Sequence, residues 1–438
     1  MIKPLANFAK TRWERIRASY WFIPVCMMLI AFFLGYACIQ YLPALVTETS
    51  YRAFIPTVPA DTASDIISTV ASAIITATSI AFSMTLVALT MASSQFGPRL
   101  LRAFMDDRGT QLVLGTLSST FVFCLTALHQ ISIADVDILI SSMLSLITLA
   151  IGILDTLVLI YFIHHIANFI QVDEIINHCY NQCTQNLSKL FALTDEQENN
   201  KTILATKIDP GAVTTLLSRS EAGYIQTIDY PSLLAQKGTT GVQIHVRAGD
   251  YIVPGETVIT VHSDDTITKE IESYYLSCVV TGKSRTALQD PEFPVSQLVE
   301  IALRALSPGI NDPITAMTCI DRLAAVCILM AKQRFPSDTI VNNENNVWLK
   351  RRTYTFESVI NTAFDQIRQA GAPHVGVMLH LLGRFKTLKN ELPQAHHGIL
   401  DVQIQAIADL VKTSAHCEKD KADVAAAVSA ASVSPVYT

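Results

Sequence analysis

The chain is poor in charge: Asp, Glu, Lys and Arg make up only 16% of its 438 residues. No long basic run occurs, and the formal net charge at pH 7 is a mild −6. Both absences exclude nucleic acid as a partner, because phosphate neutralisation needs clustered cations. The nine cysteines are an odd, scattered set. They suggest reduced thiols in a cytosol-facing part, not a disulfide framework. Cys179 and Cys183 stand beside His178, but no second ligand pair follows at zinc-site spacing. No metal or other cofactor is expected. Nucleophile–base motifs and phosphate loops are missing too, and Arg285, Asp290 and Asp312 stand as isolated polar groups. An enzyme is therefore not expected.

What the chain does have is four long apolar stretches, at 21–42, 66–92, 112–131 and 138–163. A bilayer core about 30 Å thick is spanned by ~20 apolar helical residues. Only Asp155 and His129 interrupt these runs with a charged or ionisable polar group. The mean hydropathy of +0.34 suits a chain that is part membrane and part soluble. The first run is longer than the ~7–15 residues of a signal-peptide core, and no cleavage site follows it. Gly35-Tyr36-Ala37-Cys38 is a poor lipoprotein site because Tyr36 is bulky. The run is read as an uncleaved span, with Tyr20, Trp21, Tyr36 and Tyr41 as interfacial anchors.

Loop charges set the expected orientation. The N-terminal arm carries Lys3, Lys10, Arg12, Arg15 and Arg17, and the 96–110 loop carries Arg99, Arg102 and Arg108. The 43–65 loop has only Arg52, and the 132–137 turn has no Lys or Arg. Both termini are expected in the cytoplasm, in a multi-pass protein of the bacterial inner membrane.

The second span carries Ser64, Ser68, Ser72, Thr76, Ser79, Ser83, Thr90 and Ser94, mostly three or four residues apart. This spacing aligns hydroxyls along one helix face. Two readings follow: close helix packing, or a wet path narrowed at Leu86 and Val87. The pore-lining candidates are Ser72, Thr76, Ser79, Ser83, Leu86, Val87 and Thr90. In the fourth span Asp155 reads either as a protonated carboxyl bonded to a Ser or Thr of the second or third helix, or as a group facing a cavity. His164 and His165 read as interfacial anchors, or as a mouth that senses pH or binds an anion. An amphipathic helix over 166–193 follows, with Ile170, Ile175, Ile176, Tyr180, Leu187 and Leu190 on one face.

Residues 223–262 alternate as half-buried strands do. Gly249-Asp250-Tyr251-Ile252-Val253-Pro254-Gly255 resembles the turn of small biotinyl/lipoyl-type barrel-sandwich domains, without the exposed Lys of a carrier hairpin. A helix over 295–306 breaks at Ser307-Pro308-Gly309-Ile310-Asn311-Asp312-Pro313 and restarts behind Asn311 or Asp312. That corner is either architecture or an anion site at the new helix start, with Arg304, Ser307, Asn311 and Asp312 as its candidate residues. Further helices are expected at 355–370, 374–390 and 394–415, and 418–438 reads as a disordered tail.

The expected fold class is a polytopic α-helical membrane domain of four transmembrane helices plus a cytoplasmic α+β domain, with a small β-barrel-like module and a helical C-terminal part. The domains run 1–165 (membrane), 166–200 (connecting helix), 201–290 (β-rich module), 291–417 (helical module) and 418–438 (tail).

Several stretches together resemble the DUF2254 family of predicted bacterial membrane proteins. They are Ala81-Phe82-Ser83-Met84-Thr85-Leu86-Val87-Ala88-Leu89, Ser94-Gln95-Phe96-Gly97-Pro98-Arg99-Leu100-Leu101 and Phe162-Ile163-His164-His165-Ile166. Ser284-Arg285-Thr286 with Gln289-Asp290, and the long run from Arg304 to Pro313, complete the set. The resemblance covers about residues 15–415. It implies an inner-membrane protein with an N-terminal helical membrane domain, and it supplies no activity. The functional expectation is an oligomeric ion channel or transport protein with a cytoplasmic gating domain. The alternative is a non-conducting sensor or scaffold that binds a ligand or partner. The expected partners are the lipid bilayer and further copies of the chain, with a small ion or small molecule of unassigned identity. Four spans are few for a monomeric transporter, and no inverted repeat is visible.

Overall fold

The structure, a computed structural model, describes residues 21–45, 57–96, 107–133, 138–169, 171–198, 213–236, 238–342, 347–413 and 417–432. The positive N-terminal arm, Gly97-Pro98, residues 134–137, Ile170 and the side chains of Ser94 and Leu190 lie outside the described residues. The chain divides into two compact units, residues 1–174 and 175–438.

The first unit is a helical bundle of α1 (Phe22–Leu45), α2 (Ala60–Phe96), α3 (Arg108–Ile133) and α4 (Ile138–Phe169). All four coincide with the apolar runs, extended by a few residues at their ends. Helix α2 buries Ala63, Ile67, Ala71, Ile74, Thr78, Ala81, Thr85, Ala88 and Ala92. That repeat of three and four residues places small side chains on one face, so that neighbouring backbones come close. Thr78 and Thr85 tolerate burial because each hydroxyl donates to the carbonyl four residues back, at 2.7 and 2.8 Å. Two apolar clusters share Val70 and Phe121: one holds Phe162 and Ile166 of α4, the other Leu144 and the flanking Ile151.

Helix α5 (Val172–Glu198) leads into the second unit. It buries Ile175, Ile176, Cys179, Cys183 and Leu187, as its amphipathic pattern predicts. There follow β1 (Val213–Ser218), β2 (Gly223–Ile228), α6 (Tyr230–Ala235), β3 (Thr239–Ile244), β4 (Tyr251–Ile252), β5 (Thr257–Ser263), α7 (Lys269–Ser277) and β6 (Val279–Gly282). Next come α8 (Glu292–Ala305), α9 (Pro313–Ala331), β7 (Thr339–Asn342) and β8 (Val347–Lys350). The chain closes with α10 (Phe356–Ala370), α11 (Val375–Glu391), a 3₁₀ turn (Gln394–His396), α12 (His397–Thr413) and α13 (Glu418–Ser432).

The expected barrel-like module is not a barrel. Among the described residues the strands form two open sheets, ordered β1-β5-β3-β8-β7 and β4-β2-β6, around one core. Strand β8 joins parallel to β3, pairing Gly241 with Trp348, so the larger sheet recruits strands from beyond residue 330. Strand β4 is two residues long and cannot close the smaller one. The β7–β8 pair thus interrupts the stretch read as purely helical.

The tail also differs from expectation over 418–432. Helix α13 buries Val424 and Ala431, and the buried Lys389 donates to Asp401 at 2.8 Å and to the Ser432 carbonyl at 3.1 Å. The Ala-rich composition that reads as disorder is also strongly helix-forming, and a surface on α11 and α12 receives it.

By length and composition, four described helical segments could cross a membrane: Ala60–Ser93, Arg108–Ile133, Ile138–Asn168 and Pro313–Ala331; Phe22–Cys38 is shorter. Helix α9 is apolar for another reason. It buries Cys319, Ile320, Leu323, Val326, Cys327 and Met330 at the centre of the second unit. A helix enclosed by protein is apolar on several faces.

Candidate functional site

At 100° per residue, Ser72, Thr76, Ser79, Ser83, Leu86 and Thr90 centre about 150° round α2 from its buried face. The structure bears out that geometry: all six are exposed, and so is Val87. Packing inside the protomer therefore does not account for the hydroxyl face. Thr76, Ser79, Ile80, Ser83, Met84, Val87 and Ala88 line an open groove of about 460 Å³, joined by Ile166 of α4. The hydroxyls of Ser72, Thr76 and Ser79 donate to carbonyls four residues back, at 2.8, 2.8 and 2.9 Å. Thr90 donates to Val87 at 2.8 Å. With the protons committed to the backbone, lone pairs on the hydroxyl oxygens remain for a ligand. Leu86 and Val87 break the polar line and are 63% and 56% exposed.

Asp155 lies inside the bundle, 0% exposed. His164 and His165 do not act as a pair. His164 meets Asn168 at 2.9 Å. The His165 ring lies 2.8 Å from Asp107, a partner that charge counting could not pick out. Asp107 also caps α3, accepting the Thr110 N–H at 2.8 Å. Burial opposes its ionisation, but hydrogen bonds from Thr110 and His165 outweigh that and hold the carboxyl below its ordinary range. Gly109 permits the approach, since a Cβ there would sit 2.7 Å from the His165 ring.

In the second unit local hydrogen bonds close the 304–312 corner. Asn311 adopts φ 52°, a left-handed conformation that Asn tolerates better than most residues. Asp312 accepts the Thr315 N–H at 3.1 Å and the Thr315 hydroxyl at 2.6 Å. Those bonds, the Thr315 hydroxyl first, hold its carboxyl below the ordinary range. The chain's own carboxylate thus fills the α9 N-terminus where an external anion was a candidate. Ser307 donates to the Arg304 carbonyl at 2.6 Å, which closes the turn.

Arg285 and Asp290 are not isolated. Asp290 is fully buried and takes two bonds from Arg285, at 2.6 and 2.9 Å. Its other oxygen caps α8 through the Glu292 and Phe293 N–H groups. Beside it Arg247 grips Glu292 through two bonds at 2.8 and 3.2 Å, and Arg352 meets Asp250 at 2.9 Å. The Tyr354 hydroxyl donates to the Ala248 carbonyl. Gly249, at φ 90°, passes so close that a Cβ would lie 2.2 Å from Asp290. This network locks the Gly249-Asp250 turn onto the start of α8. Its partners are separated by up to 106 residues, which is why sequence spacing could not show it.

Zinc ligation by residues 178–183 fails on geometry. His178 is exposed and bonded to Gln182, while Cys179 and Cys183 are buried on another face of α5. Burial pushes both thiols up to about 12. Among the described residues no three His, Cys, Asp or Glu side chains gather in a way that could hold a metal.

A family profile described as "Predicted membrane protein (DUF2254)" matches residues 17–387. Uncharacterised proteins of Mycobacterium bovis and Mycobacterium tuberculosis are 26% identical over 435 residues, covering 98% of this chain and 82% of each relative. No solved structure matches it. A match over most of the length, together with the bundle of long apolar helices, makes the chain a member of the DUF2254 family of predicted membrane proteins.

Proposed function

We propose that the protein is a homo-oligomeric ion channel or transport protein of the bacterial inner membrane. In this reading α1 to α4 cross the bilayer, both termini are cytoplasmic and the second unit serves as a gate. Helix α9 belongs to the core of that unit. The protein acts without catalysis.

The observation that carries the reading is the outward hydroxyl face of α2, opposite the face that packs the protomer. Several copies arranged around an axis would bring these faces together as one wall in which hydroxyl groups interrupt a mainly apolar surface. Oxygen lone pairs, with the protons committed to backbone carbonyls, favour a cation over an anion. Leu86 and Val87 would form an apolar narrowing that gates by dewetting.

The test is water access to this face in the membrane. Ser79→Cys and Ser83→Cys should react with a charged methanethiosulfonate reagent, with the wild-type chain as baseline. Phe82→Cys, exposed on a neighbouring face, should stay unreactive in lipid. Equal silence at all three positions would place the hydroxyl face against lipid or another helix and favour the non-conducting sensor or scaffold.

A further inference from the structure

Asp155 is the one carboxylate within the described stretch of α4, and its surroundings are unusual. Both carboxyl oxygens are buried and hydrogen-bond to no described residue. Along α4 it falls between Ile151, which packs in one apolar cluster, and Val158, which packs in the other. Thr120 of α3 is set against it without completing a hydrogen bond to either oxygen. The Cys124 thiol of α3 also faces it. Among the described residues no other titratable group closes on it. Helix α1 carries no charge and α2 none after Asp65, while Arg108 and His129 of α3 are exposed. In α4 itself Tyr161 is exposed, and His164 and His165 are engaged with Asn168 and Asp107.

An unpaired carboxylate ion in such a place costs far more than a neutral carboxyl, so the group holds its proton. A metal cation needs about six oxygen ligands; two carboxyl oxygens and one hydroxyl fall short. A second unpartnered buried group lies on the same face: the Thr148 hydroxyl, seven residues back. Nearer the α4 start Ser145, Ser142 and Ser141 are buried with their hydroxyls donating to backbone carbonyls, Ser141 to that of Val58 at 2.8 Å. Thr148 and Ser141, one and two heptads back, lie on the same side of the helix as Asp155.

We propose that Asp155 is a proton-binding site of the membrane unit, buried among apolar side chains one heptad from the unpartnered Thr148 hydroxyl. The step is simple: the carboxyl releases one proton to become a carboxylate and regains it, with no other bond changed. This site is independent of whether the α2 hydroxyl face conducts.

The test is labelling of the full-length protein in lipid vesicles with dicyclohexylcarbodiimide. This apolar reagent takes the proton of a buried carboxyl, adds the carboxylate at its central carbon and rearranges to a stable N-acylurea. Peptide mass spectrometry should place the adduct on Asp155, with a yield that falls as pH is raised. A water-soluble carbodiimide should leave Asp155 unmodified, and Asp155→Asn should remove the adduct. The wild-type mapping and pH profile stand without the variant, should that variant fold poorly. No adduct at Asp155 from mildly acidic to alkaline pH would overturn the proposal, as would a pH-independent yield. Protection by sodium over choline would overturn it too, in favour of a metal-cation site. None of these outcomes bears on the thiol reactivity of Ser79→Cys, so the two readings fail separately.

Discussion

Replacing Asp312 by Ala removes the N-cap of α9 and tests the corner as architecture. The wild-type carboxylate accepts two bonds from Thr315, one from its backbone N–H and one from its hydroxyl. Loss of an N-cap costs about 1 kcal/mol. Loss of a negative charge beside the helix N-terminus adds roughly 0.3–1 kcal/mol. The Thr315 hydroxyl rotates to solvent and contributes little, so the total is about 1.5 kcal/mol. For a unit of this size that lowers Tm by roughly 3–6 °C. The carboxyl lies below its ordinary range when folded, so its contribution is complete above the unfolded value, about 3.9, and is lost as pH falls through the folded value. The gap between Asp312→Ala and wild type should be full at neutral pH and narrow in acid, where the protonated carboxyl keeps an acceptor but loses its charge. Asp312→Asn keeps an acceptor and should lie between them. The measurement is thermal unfolding of the full-length protein in detergent at one scan rate. An Asp312→Ala melt equal to wild type at neutral pH, or a gap that does not change with pH, would refute the reasoning.

Two further outcomes follow from particular contacts. Lys389→Ala removes the ammonium that holds Asp401 and the Ser432 carbonyl; hydrogen exchange should then rise across 418–432 while Phe356–Ala370 stays protected. The orientation proposed from the Lys/Arg asymmetry of the loops would put residues 52 and 136 outside. Cysteines introduced at Arg52 and Val136 should each react with an impermeant label on intact cells, and labelling of either only after permeabilisation would reverse the orientation.

The parts of the fold legible in the sequence are those set by local periodicity. All four apolar runs are helices, and the Ser307–Pro313 break is a corner because Pro, Gly and a capping Asp act within a few residues. The hydroxyl stripe was legible as a face of α2. Whether that face turns inward or outward depends on which residues α3 and α4 bring, so it was not legible. Pairings across long separations were hidden for the same reason. His165 finds Asp107, 58 residues away, and β8 finds β3 across about a hundred residues. Barrel closure is not legible in the sequence, because a glycine turn fixes local chain direction but does not set which strands become neighbours. The 418–432 helix is not legible either, because its order comes from the buried Lys389 and from packing on α11 and α12, and composition shows neither.

If the outward hydroxyl face of α2 conducts, Leu86 forms part of its apolar step. The most direct measurement is cation flux from liposomes holding purified Leu86→Ser beside wild type, with size-exclusion profiles of both. Conduction along this face predicts raised leak flux from an oligomer of unchanged size. Background flux from an intact oligomer would contradict it.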